Sequence, residues 1–132
     1  MIGLDTNILL RATLNDDPVQ SVAAQQLLSS LGDERRGLVN LPVLMEFFWV
    51  LRSRYKLPHA RLAAALRDLL EVANLEFEAF EVVGKALAAY ETRAAEFPDM
   101  IVALQNLELG ADSTFTFDRR AAKAVPAMEL LA

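Results

Sequence analysis

An α/β fold is what this sequence predicts: a short parallel sheet with helices on both faces. Three observations point there. Strand-like runs alternate with helical runs from end to end, the pattern that pairs strands in parallel through helical crossovers. The 132 residues are 54% hydrophobic and 23% charged, enough apolar material for a well-buried core and too much for a disordered chain. No repeat, low-complexity stretch or linker divides the chain, so residues 1–132 are expected to form a single domain.

Ile2 to Leu4 reads as a buried strand, and Thr6 to Leu10 as a helical turn. Asn15-Asp-Asp-Pro18 has the chemistry of a helix start, with Asp17 as N-cap and Pro18 at the first helical position. Val19, Val22, Ala23, Leu27 and Leu31 then recur at helical spacing, and Gly32-Asp33 ends that helix. Glu34-Arg-Arg36 is an exposed connection to a second strand, Gly37 to Leu41. Pro42 to Arg54 predicts a helix apolar nearly all round, hence deeply buried.

Pro58 opens the next helix, carried by Leu62, Leu66, Leu69 and Leu70. Leu75 to Glu78 alternates as a strand does. Ala79 to Ala95 is helical, with Phe80, Val83, Leu87 and Tyr90 on one face. Pro98 starts a helix that Gly110 ends, Ser113 to Phe117 is a strand, Arg119 to Ala124 a short helix, and Met128 to Leu131 a last strand.

Composition removes several kinds of chemistry. There is no cysteine, which excludes disulfides, zinc–thiolate centres and thiol nucleophiles. A single histidine, His59, excludes a histidine-pair mechanism, and its place beside Pro58 reads as a surface position. The formal charge of −5 argues against holding nucleic acid by bulk charge alone. Bound divalent ions can still invert the field at a local site. The amino terminus lacks a basic segment followed by an apolar one, and Leu38 to Leu51 is too short to span a bilayer. A reduced cytoplasmic setting is the expectation.

Four carboxylates carry the functional reading. Asp5 ends the run Met-Ile-Gly-Leu, Glu46 stands alone in Pro42 to Leu51, Asp99 opens Met100 to Leu104, and Asp118 closes Ser113 to Phe117. A carboxylate among apolar neighbours loses solvation and needs hydrogen bonds, a cation or a metal. Four on different elements, with few basic residues beside them, point to one acidic pocket, and Mg²⁺ or Mn²⁺ is the natural counter-ion for all-oxygen ligands. In parallel sheets, sites lie beyond the carboxyl ends of the strands, where Asp5 and Asp118 fall. Plainer readings exist: Asp5 and Asp118 can cap the helices that follow them, and Asp99 suits a helix dipole. Glu46 resists them. Pro42, Val43, Trp49 and Val50, one turn away on either side, are apolar, so it is expected to be buried without a local partner. The basic groups Arg35-Arg36, Arg52 with Arg54 and Lys56, and Arg119-Arg120 with Lys123 read as solvated surface that can contact phosphates. Phe47, Phe48 and Trp49 read as core or interface rather than base-stacking residues.

Leu4-Asp-Thr-Asn7, Leu44-Met-Glu-Phe-Phe-Trp-Val-Leu51, Phe97-Pro-Asp-Met-Ile-Val-Ala103 and Thr116-Phe-Asp-Arg119 resemble the ordered acidic motifs of PIN-domain ribonucleases. The chain is most similar to the VapC-type toxins of bacterial VapBC toxin–antitoxin pairs, over nearly its whole length. The resemblance implies a three-layer α/β/α fold with a central short parallel sheet. It implies Asp5 and Asp99 as principal metal ligands, with Glu46 and Asp118 completing an Mg²⁺ or Mn²⁺ site. Thr6, Asn7, Glu96 and Thr116 fall at supporting positions. Glu96 stands where relatives often carry Asp, and Pro98 where they carry a small residue.

The activity implied is metal-dependent endoribonuclease cleavage of RNA, by a homodimer that a small cognate antitoxin inhibits. The alternative is a catalytically inactive PIN-like module for protein association, which the apolar content and the Phe47-Phe48-Trp49 run would suit. A haloacid-dehalogenase-like phosphatase would need a second Asp where Asn7 stands.

Overall fold

The structure is a computed structural model that describes all of residues Met1–Ala132. Seven helices and five short strands follow one another along the chain, and every strand pair is parallel. This is the α/β class expected, with the element content of the PIN-like α/β/α fold. The chain forms two compact units, Met1–Glu78 and Ala79–Ala132.

In the first unit, β1 (Ile2–Gly3), β2 (Gly37–Val39) and β3 (Leu75–Phe77) make a sheet in chain order. α1 (Thr6–Leu14) and α2 (Gln20–Ser29) fill the first crossover; α3 (Leu41–Ser53) and α4 (His59–Leu70) fill the second. Both crossovers advance in the same direction. Right-handed connections therefore place both helix pairs on one face of this sheet, and α1 packs against both α2 and α3. Phe47, Phe48, Leu44, Leu51, Leu9, Leu62 and Leu66 are almost wholly buried here. β2 begins at a glycine for a steric reason. A Cβ on Gly37 would stand 2.7 Å from a Leu75 methyl, 3.0 Å from one of Leu31 and 3.1 Å from one of Leu4.

The α1–α2 joint shows how the sequence sets local structure. Asn15 takes the left-handed conformation and ends α1. α2 opens later than expected, with Val19 at its N-cap position and Pro18 still in the turn; Asp17 caps that turn, its Oδ1 accepting from the backbone of Val19 at 3.0 Å and of Gln20 at 2.7 Å. These bonds hold the Asp17 carboxyl below its usual pKa. Arg11 ties the joint down by pairing with Asp16 at 3.0 Å and donating to Gln20 at 3.1 Å, while Tyr55 donates to Asp16 at 3.4 Å.

In the second unit, α5 (Phe80–Glu91) packs along α6 (Phe97–Glu108), with the Tyr90 and Phe97 rings edge-on at 6.4 Å. β4 (Thr114–Thr116) and β5 (Met128–Leu130) form a parallel ribbon joined through α7 (Arg119–Ala124). Asn106 of α6 donates to the Thr114 hydroxyl at 2.9 Å and so anchors β4.

Several expectations are corrected. α1 runs on to Leu14 rather than stopping near Leu10. α2 buries Ser21, Ala24 and, beyond its end, Leu31, while Val19 and Val22 are exposed; small residues let it lie close to α1. α3 is not buried all round, because Pro42, Glu46 and Trp49 form an exposed side. On α5 the buried face is Val82, Val83, Ala86, Leu87 and Tyr90, and Phe80 stands outside it. His59 is half-buried at the start of α4 rather than freely solvated.

Candidate functional site

Asp5 stands at the carboxyl end of β1 and opens α1 from an extended backbone. It is exposed, and its Oδ1 accepts from the Thr6 backbone at 2.8 Å. The next residue turns inward. Thr6 is only 3% exposed, and its hydroxyl donates to Glu46 Oε1 at 2.5 Å. That bond crosses from α1 to α3 and joins residues 40 apart in sequence. Asn7 is exposed on the first turn of α1. Glu46 is therefore neither buried nor without a partner, which corrects the sequence reading: it lies on the exposed side of α3 and is oriented by a buried hydroxyl.

In the second unit, Asp99 is half-buried in the first turn of α6, where the helix dipole favours a negative side chain. Glu96 is exposed at the N-cap position with extended backbone, and its side chain makes no capping bond. Asp118 caps α7: Oδ1 accepts from Ala121 N at 3.0 Å. Its own N–H donates to the Thr116 hydroxyl at 3.0 Å, so β4 hands over to α7 through that pair.

The capping roles of Asp5 and Asp118 are real, yet each uses one carboxylate oxygen. Neither these two acids nor Glu46 takes part in the ion pairs Arg11–Asp16 and Arg36–Glu76. A carboxylate oxygen not neutralised by Lys or Arg is, by its chemistry, a ligand for a hard divalent cation. No group of three or more His, Cys, Asp or Glu side chains stands close enough to hold a metal ion. Asp5 and Glu46 belong to the first unit, Asp99 and Asp118 to the second.

The first unit also has a cleft away from these acids. It measures about 470 Å³ and opens between α1, α2 and α4, lined by Leu9, Leu28 and Leu69 among others. Asp68 is its one charged residue, and none of the four acids reaches it. Sequence reading missed this cleft and the Thr6–Glu46 bond, since both depend on which helices lie side by side.

The parallel strands, with one acid after β1 and another after β4, make an α/β domain with acids at the carboxyl ends of its strands. The chain belongs to the PIN domain family, whose model matches residues 2–126. All four acids fall inside that match, as do Thr6, Asn7, Glu96 and Thr116. No curated protein matches the chain. No helix is long and apolar enough to cross a membrane.

Proposed function

We propose that this chain is an Mg²⁺- or Mn²⁺-dependent endoribonuclease, the toxin of a type II toxin–antitoxin pair. The observation that carries the reading is the PIN family match over residues 2–126, a span that contains Asp5, Glu46, Asp99 and Asp118. Asp5 and Asp99 are the principal metal ligands, and Glu46 and Asp118 complete the acidic set. When bound, the divalent ion activates water and neutralises charge on the scissile phosphate.

The chain's own residues prepare for this in identifiable ways. Thr6 holds Glu46 through its hydroxyl, removing rotamer freedom from a side chain that would otherwise wave in solvent. The Thr6 N–H holds one oxygen of Asp5, and the Ala121 N–H one of Asp118, so the second oxygen of each points where local backbone fixes it. Asp99 gains stabilisation of its charged form from the start of α6. No histidine or lysine base is required.

The partners we propose are an RNA substrate, a small cognate antitoxin and a second copy of the chain in a homodimer, in the cytoplasm. The test is purified protein on structured RNA, in EDTA and with added Mn²⁺. Cleavage should appear only with metal and vanish in Asp5→Asn and Asp99→Asn while both variants stay folded by circular dichroism. Full activity of Asp5→Asn would end the assignment. Absence of cleavage under every metal condition would favour the protein-association module instead.

A further inference from the structure

The β4–β5 ribbon carries an exposed aromatic face that nothing above uses. Along Thr114 to Phe117 exposure alternates: both threonines are half-buried, while Phe115 is 62% and Phe117 71% exposed. That alternation is the pleat of a strand with one face turned out. Two phenyl rings two residues apart on an outward face leave apolar surface in water. Immediately after them, α7 presents Arg119, Arg120 and Lys123, all exposed, in a chain whose formal charge is −5. None of the three takes part in a close ion pair. Asp118, between rings and cations, is fixed as the cap of α7.

We infer that this face binds single-stranded RNA, with Phe115 and Phe117 stacking bases and Arg119, Arg120 and Lys123 holding the adjoining phosphates. The inference rests on the ribonuclease reading and names where its substrate lies. Flat apolar rings beside a short row of cations match the alternation of bases and phosphates along a strand. A second copy of this chain fits less well, because a two-fold contact sets the same patch against itself and would oppose Arg119 and Arg120 to their own images. An acidic polypeptide would satisfy the cations and leave the phenyl faces uncovered. The face carries one further acid: Glu129, opposite Phe115 in register, accepts from the Ser113 hydroxyl at 2.7 Å. Its charge opposes a polyanion and offers an independent handle.

The experiment is fluorescence anisotropy of the whole chain with a short labelled single-stranded oligoribonucleotide, in EDTA so that the probe survives, over a range of salt. Phe115→Ala and Phe117→Ala should each weaken binding by about 5-fold or more, as expected for loss of one stacked base, with the salt dependence unchanged. Replacing Arg119 and Arg120 by Gln should lower the slope of log affinity against log salt by about 0.7 for each phosphate no longer neutralised. Glu129→Gln should tighten binding, a gain that misfolding cannot mimic. If wild type binds and cleaves RNA while all these variants bind like wild type, the inference falls and the ribonuclease reading stands. If wild type neither binds nor cleaves, both fall. If the Phe variants lose only self-association, read by light scattering, the face belongs to a second copy and the inference is overturned.

Discussion

Thr6 shows why single residues outweigh their motifs. Its hydroxyl is interior, its partner Glu46 is exposed, and the bond between them fixes a carboxylate that the sequence alone leaves stranded among apolar neighbours. Thr6→Val should cost about 1 kcal/mol of stability and lower cleavage by more than the stability loss explains. Thr6→Ser, which keeps the hydroxyl, should restore cleavage; equal activity in both variants would show that Glu46 needs no such hold. Asp17 offers a pH test. Backbone bonds from Gln20, then Val19, hold its carboxyl below the usual range. Its folded pKa thus lies under its unfolded one, and its contribution is complete above the unfolded value and lost as pH falls through the folded value. Melting curves of Asp17→Ala against wild type should differ most near neutral pH and converge in acid.

Among the elements, β2 makes the sharpest prediction. Three methyl groups, from Leu4, Leu31 and Leu75, close on the place a Cβ would take at Gly37. Gly37→Val should destabilise by about 1–3 kcal/mol through overpacking, visible as a lowered chemical-denaturation midpoint with unchanged slope. The same elements show what sequence can and cannot give. Asp17 capping and Asn40 opening α3, with its Oδ1 accepting from Val43 at 3.0 Å, depend on neighbours within four residues. The Asp17 cap is accordingly legible from local sequence. The buried faces of α2 and α5 are not. Ser21 and Ala24 are small enough to lie against α1, whereas Val22 and Phe80 are apolar but outside the contact. Hydrophobicity marks what can be buried; helix-to-helix approach decides what is. Glu46 escapes the sequence for the same reason, since its exposure depends on which side of α3 faces α1 rather than on its neighbours along the chain.

For the whole molecule, the four acids set the prediction. A cation that binds the folded chain and not the unfolded one stabilises the fold. Added Mn²⁺ should raise the melting temperature of wild type and leave Asp5→Asn unmoved; a wild-type melt indifferent to metal would count against the proposed ligands. One backbone feature reaches further. Asn15, Lys56, Asn74, Ala79, Arg93 and Ala127 all have positive φ, at the joints where one element hands over to the next. Left-handed geometry costs a residue bearing a Cβ about 1 kcal/mol relative to glycine. Ala79 holds the N-cap position of α5, and Ala127 stands just before β5. Ala79→Gly and Ala127→Gly, usually loosening changes, should here raise thermal tolerance, so that a hardier version of this chain is reached by removing atoms rather than adding them.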